Sequence, residues 1–112
     1  MIKYKRGDIV LVDFGFSETK GSKKRPALII SSDNYHKNRQ EVIAAAITHN
    51  TKRVLFADTK IDAWKAAGLL YPSLVTGIIR TIKSTVILDK LGVIHKEDFQ
   101  KVQKAFKKAL VL

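Results

Sequence analysis

Few side chains in this sequence could carry out chemistry, and their types narrow the reactions open to it. The chain has no cysteine, which excludes a thiol nucleophile, a disulfide framework, a zinc ribbon and an iron–sulfur site. His36, His49 and His95 lie far apart, show none of the usual metal-ligand spacings, and are each predicted to be surface residues. The acidic residues form no cluster that could hold magnesium, so a two-metal nuclease is not expected.

The charge of the chain indicates the kind of partner it has. Its 112 residues include 21 Lys and Arg against 10 Asp and Glu, a formal net charge of +11 with neutral histidines. A folded surface this positive repels itself, and a polyanion or an acidic protein relieves that repulsion. Nucleic acid is the favoured partner, and a basic surface with no such partner stays open as an alternative.

One reaction fits both observations, because it needs neither a metal nor a thiol and acts on a polyanion. In this form of RNA strand cleavage, the substrate's own 2′-hydroxyl attacks the adjacent phosphorus and the 5′-oxygen leaves. The protein positions the groups, neutralises the added negative charge and helps two protons to move. An arginine suits the phosphate, since its guanidinium binds two oxygens at once and stays charged. Composition alone does not choose the residues.

The elements that must position such groups are mostly strands. Apolar, β-branched segments bounded by turn residues predict strands at 8–14, 26–31, 42–48, 53–59, 73–79 and 85–90. A long loop is expected at 15–24, a short helix from Asp33 or Asn34, a turn at 61–68 closed by Gly68, and a loop at 80–84. The last segment predicts a helix whose apolar face holds Phe99, Val102, Phe106, Ala109 and Leu110.

These elements predict one domain over residues 1–112 and a mainly β, α+β fold class. We expect a small SH3-like or barrel-like antiparallel sheet with short helices and a C-terminal helix. No apolar run is long enough to span a membrane. The N-terminal residues lack the apolar stretch of a signal peptide, which favours the cytoplasm.

Five motifs in order give the chain a resemblance to a known family. They are Arg6-Gly7-Asp8-Ile9-Val10, Lys24-Arg25-Pro26-Ala27-Leu28-Ile29-Ile30-Ser31, Val42-Ile43-Ala44-Ala45-Ala46-Ile47-Thr48, Gly68-Leu69-Leu70-Tyr71-Pro72-Ser73-Leu74-Val75 and Ile79-Arg80-Thr81-Ile82. In this order they resemble the MazF/PemK toxin family over almost the whole chain. Where some members carry a second catalytic arginine and an aspartate, this chain has Val75 and Gly77, so the RNA sequence it would recognise stays open.

The resemblance implies a homodimeric, sequence-specific endoribonuclease that cuts single-stranded mRNA without a metal or other cofactor and is silenced by a cognate antitoxin. The products would carry a 2′,3′-cyclic phosphate and a 5′-hydroxyl. The family's catalytic pair falls on Arg25, which would stabilise phosphate charge, and Thr48, which would orient the phosphate. Further nucleic-acid contacts are expected from residues of the first loop and from one residue after a later strand: Phe16, Lys20, Ser22, Lys23, Lys24 and Arg80.

Two other functions stay open at this point. A toxin of the same fold could act on a protein, as gyrase poisons of similar architecture do. A catalytically silent domain could bind RNA without cutting it. The retained Arg25 and Thr48 favour the nuclease, and the basic surface favours an acidic antitoxin that lies in the RNA groove.

Overall fold

The computed structural model describes residues 3–13 and 23–112, which form one antiparallel sheet with two helices. The strands are β1 (Asp8–Asp13), β2 (Lys24–Ile29), β3 (Glu41–Thr48), β4 (Thr59–Lys60), β5 (Leu74–Lys83) and β6 (Ile87–Val93); the helices are α1 (Asp33–His36) and α2 (Lys96–Leu110). The strand order is β4-β5-β3-β2-β1-β6. Each pair of neighbouring strands runs antiparallel. The expected fold class is confirmed.

Apolar side chains are buried on both faces of the sheet, because successive residues of a strand point to opposite faces. On one face, α2 inserts Val102 and Phe106 into a cluster that includes the buried strand residues Ile9, Leu28, Ala45, Ile47 and Val75. The opposite face buries a second cluster, made of Val10, Val12, Ala27, Ile29, Val42, Ala44 and Ile87. The central strands therefore carry near-continuous apolar runs. These runs are the segments that the sequence predicts to be strands.

The segment that follows the edge strand β4 meets β6 at the opposite edge, which makes the sheet barrel-like. The segment between β4 and β5 lies directly on β6, at the far edge. A Cβ added to Gly68 would lie 2.0 Å from the carbonyl oxygen of Leu91, and one added to Gly92 would lie 2.2 Å from that of Ala67. Gly68 also has a φ of +88°. Only glycine permits so close an approach of two backbones.

Helix α2 is tied to the sheet by its first turn. His95 caps the helix, with its ring accepting a hydrogen bond from the Glu97 amide. The Asp98 carboxylate is 2% exposed and accepts hydrogen bonds from the amides of Asp62 and Ala63 at 3.1 and 3.0 Å. The helix thereby fixes the start of the turn segment that leads to Gly68. None of the helices in the described residues is long and apolar enough to cross a membrane.

The prediction of a strand at 53–59 is wrong except at its last residue. Only Thr59–Lys60 is strand, and the residues before it form a loop in which Phe56 is 77% exposed. The Asp58 carboxylate organises this loop, since it accepts hydrogen bonds from the Leu55 amide at 2.9 Å and the Gly77 amide at 3.1 Å. Apolar residues there lie at the surface, so their alternation does not reflect a sheet.

Strand β5 is longer than expected, and the predicted loop at 80–84 is largely strand. β5 continues to Lys83, and a single 3₁₀ turn at Ser84–Val86 leads into β6. The pairing of β5 with β3 is irregular between Ala45 and Ile47. There the Thr76 hydroxyl donates to the Ala46 carbonyl at 2.7 Å and accepts from the Ile78 amide at 3.2 Å. This bulge lets β5 bend and still pair on both sides of it.

Two smaller expectations about the helices also need correction. The short helix α1 is capped by Ser32 rather than by Asp33 or Asn34, and it ends at His36. Ala109 and Leu110 are exposed, so the apolar face of α2 is shorter than predicted.

His36 is buried rather than on the surface. Its Nε2 lies 2.5 Å from the Ser31 hydroxyl. That oxygen also accepts a hydrogen bond from the Ile43 amide at 2.9 Å. The imidazole therefore joins α1 to β3 through a buried polar contact, as buried polar groups require.

Candidate active site

The antiparallel pairing of β2 with β3 brings Arg25 and Thr48 to the same end of the sheet. The two strands pair from Ile29 opposite Ala44 to Ala27 opposite Ala46. Arg25 lies two residues before Ala27 and Thr48 two residues after Ala46, so both residues lie at the same end of these antiparallel strands. The ladder between these strands stops before that point, so their ends are free to separate.

A cleft of about 560 Å³ opens at these strand ends. Three exposed cations, Lys23, Lys24 and Arg25, form one part of its wall. The rest of its described lining contains no lysine, arginine or carboxylate and comes from β1, β2, β3, the residue after β3, β6 and the segment before β5: Leu11, Pro26, Ile47, Thr48, His49, Gly68, Leu69, Leu70, Tyr71, Ser73 and Leu91. Within residues 3–13 and 23–112 no carboxylate lines the cleft, so its charge suits an anion.

A hydrogen bond from the turn that follows β3 holds the Thr48 hydroxyl. The Oγ1 atom accepts a hydrogen bond from the Asn50 amide at 3.1 Å. The Asn50 side chain in turn accepts one from the Lys52 amide at 3.2 Å, so the turn after β3 is held by its own side chains. Because an amide occupies a lone pair of the oxygen, the hydroxyl proton is the part left to donate to an incoming acceptor.

Two aromatic rings that the sequence analysis missed also line the cleft. The rings of His49 and Tyr71 lie 5.4 Å apart between centroids, with 48° between their planes. Tyr71 is 59% exposed, and its neighbour Leu70 is 82% exposed. The Ser73 hydroxyl donates to the Tyr71 carbonyl at 2.8 Å and fixes the backbone there. The only sequence signal for His49 was its position next to Thr48.

The other residues predicted to contact RNA do not all lie in the cleft. Lys23 and Lys24 line the cleft together with Arg25 and Thr48. Arg80 does not, since it lies on β5 opposite Ala44, whereas Thr48 is opposite Leu74. Ala44 and Thr48 are four residues apart on β3, which corresponds to about 13 Å at about 3.3 Å per residue. Three further predicted residues lie outside the described part of the chain: Phe16, Lys20 and Ser22.

The sequence matches that of a toxin family over almost its whole length. A family model described as the PemK-like, MazF-like toxin of type II toxin–antitoxin systems matches residues 5–110. This chain therefore belongs to the PemK-like, MazF-like toxins, as the resemblance predicts.

Solved structures show the same fold at low sequence identity. An endoribonuclease in complex with its cognate antitoxin from a mycobacterial species has a TM-score of 0.79 and 22% identity, over 97% of this chain and 96% of that chain. The Mycobacterium tuberculosis toxin MazF-mt6 has a TM-score of 0.76 and 24% identity, over 94% and 97%. A MazE–MazF structure from Deinococcus radiodurans has a TM-score of 0.80 and 16% identity, over 97% and 96%. No curated protein matches the sequence significantly.

Proposed function

We propose that this toxin is a metal-independent, sequence-specific endoribonuclease that acts on single-stranded RNA, chiefly mRNA, in the cytoplasm. The 2′-hydroxyl of the substrate attacks the adjacent phosphorus, leaving a 2′,3′-cyclic phosphate and a 5′-hydroxyl. The observation that carries the proposal is that Arg25 and Thr48, distant in sequence, line one cationic cleft. Its support from outside the chain is that structures of the same fold are described as endoribonucleases.

The two central residues divide the work on the phosphate. The Arg25 guanidinium spans two phosphoryl oxygens and offsets the charge that builds up as the phosphorus becomes five-coordinate. The Thr48 hydroxyl donates its proton to one of these oxygens and fixes the orientation of the phosphate. Lys23 and Lys24, in the same cleft, bind the neighbouring phosphates of the strand as exposed point charges.

The other predicted contacts remain part of the proposal. We assign Lys20 and Ser22 to flanking phosphates, and Phe16 to stacking on an unpaired base. Arg80 acts outside the cleft, on RNA or on a second copy of the chain.

A homodimer and an acidic antitoxin are the protein partners of this proposal. The net charge of +11 favours a negatively charged segment that competes with RNA for the cationic cleft. The mycobacterial endoribonuclease was solved with its cognate antitoxin, and the Deinococcus radiodurans toxin as MazE–MazF. An acidic segment bound here should protect RNA at low salt and lose that effect as salt screens the charges.

The test is cleavage of a long single-stranded RNA by the purified protein in EDTA. We expect discrete fragments with 2′,3′-cyclic phosphate ends, and no fragments from Arg25→Ala. Arg53→Ala is the matched control, since Arg53 is an exposed arginine outside the cleft lining and should not be needed. Cleavage by Arg25→Ala at the wild-type rate would overturn the site.

The same assay separates the two other functions that the sequence left open. Intact RNA together with a stalled topoisomerase would indicate a toxin that acts on a protein. Intact RNA that is nevertheless bound, with an affinity that falls steeply as salt rises, would indicate a silent RNA-binding domain. Mapping the 5′ ends of fragments from a complex RNA pool would identify the sequence that is cut.

A further inference from the structure

The proposed reaction moves two protons, and the side chains of the cleft differ in their ability to carry them. Lysine, arginine and tyrosine side chains ordinarily keep their protons at neutral pH, so they do not accept another. Among the described residues that line the cleft there is no carboxylate, and the one imidazole is that of His49. An imidazole is the side chain that ordinarily exchanges a proton between pH 5 and 8.

The position of His49 suits contact with the reacting atoms. It directly follows Thr48, the residue proposed to hold the scissile phosphate, and its side chain is exposed to the cleft. The turn that carries it is held by the hydrogen bond from the Asn50 amide to the Thr48 hydroxyl, 3.1 Å long. The Tyr71 ring, 5.4 Å away between centroids, limits the ring orientations open to the imidazole.

We propose, on the basis of the proposed function, that His49 is the general base of RNA cleavage. The neutral imidazole takes the proton of the 2′-hydroxyl while that oxygen forms its bond to phosphorus. The bond from phosphorus to the 5′-oxygen breaks, its electron pair stays on that oxygen, and a water molecule supplies the proton that completes the 5′-hydroxyl. The imidazolium then returns its proton to solvent, so the protein ends unchanged.

The titratable side chains that line the cleft with His49 determine what a change of rate with pH can report. They are the cations Lys23, Lys24 and Arg25 and the phenol of Tyr71. Side chains of these types ordinarily do not titrate between pH 5 and 8. Among the described residues of the cleft, the imidazole is therefore the group to which we assign a change of rate in that range.

The experiment compares the wild type with His49→Gln and His49→Ala in single-turnover cleavage between pH 5 and 8. General-base catalysis contributes about 100-fold or more, so we expect a loss of that size at pH 7 and a flattened acid limb in the pH profile. Added imidazole should restore part of the rate of His49→Ala and none of that of Arg25→Ala. The matched control is His95→Asn, which keeps a good cap on α2 and removes an exposed histidine outside the cleft lining.

Binding separates this role from a structural one. A 2′-O-methyl RNA has no attacking hydroxyl, and the His49 variants should bind it as tightly as the wild type does. Loss of binding that matches the loss of rate, without rescue by imidazole, would overturn the proposal, because His49 would then hold the RNA. A wild-type rate and pH profile in His49→Gln would also overturn it while leaving the nuclease intact. A wild type that does not cut RNA would refute the proposed function itself.

Discussion

Thr48→Val tests the proposed contact with the phosphate by removing one functional group, the hydroxyl. Valine keeps the branched shape of threonine and removes the hydroxyl, which in the structure accepts a hydrogen bond from the Asn50 amide at 3.1 Å. Under the proposed function the same hydroxyl donates to a phosphoryl oxygen. A hydrogen bond to a charged group is worth about 1.5–3 kcal/mol. At about 1.4 kcal/mol for each tenfold change in rate, we expect cleavage to slow by about 10- to 150-fold.

Single-turnover cleavage of a short RNA with one cut site measures this loss directly. Thr48→Ser keeps the hydroxyl and should recover most of the rate. Thr81→Val is the matched control, because Thr81 is an exposed threonine of β5 outside the cleft lining. The Asn50 amide lies in an exposed turn, where water replaces the lost acceptor, so thermal unfolding should change little. A Thr48→Val enzyme as fast as the wild type, or a Thr48→Ser enzyme as slow as Thr48→Val, would refute the reasoning.

Two further predictions concern the framework that holds the cleft. Gly92→Ala would place a Cβ 2.2 Å from the Ala67 carbonyl oxygen. We expect it to lower the thermal unfolding midpoint much more than Gly77→Ala, whose Cβ would come no closer than 3.1 Å to a neighbouring methyl group. Equal midpoints would contradict the close approach of the Ala67–Gly68 segment to β6. The hydrogen bond and the charge of Lys101 lower the pKa of Asp62 below its ordinary 3.8, so the pair stabilises the fold above that value and the effect is lost as pH falls through the lowered pKa. Lys101→Met should therefore have a lower unfolding midpoint than the wild type at pH 6, and the two midpoints should converge in acid. A difference that grows in acid would be inconsistent with the ion pair.

The parts of the fold that could be predicted are those in which one short segment carries its own signal. The β-branched runs around Val10 and Ile43 are buried on both faces, and such runs leave few alternatives to a strand. The helix α2 combines a 3.6-residue apolar spacing with acidic residues at its start and lysines at its end. Arg25 and Thr48 were found through the order of several weak motifs, since neither residue is distinctive by itself.

The incorrect or missing predictions involve contacts that the local sequence pattern does not indicate. The loop before β4 has strand-like residues, but Asp58 binds the amides of Leu55 and Gly77, which lie on either side of it in sequence. The burial of His36 depends on a hydroxyl five residues earlier and an amide of β3. The place of His49 in the cleft depends on Tyr71, which reaches it from a different element.

Two separate features of the fold form the cleft. Strand pairing brings Arg25 and Thr48 to the same end of the sheet, and it does so for any sequence that keeps the register of β2 and β3. The wall that carries Leu70 and Tyr71 comes instead from the segment between β4 and β5, which is held where Gly68 meets the backbone of β6. A change at that meeting point alters the shape of the cleft and leaves the two strands paired. The position of Leu70 and Tyr71 is therefore expected to be more sensitive to the Gly68–β6 approach than the positions of Arg25 and Thr48 are.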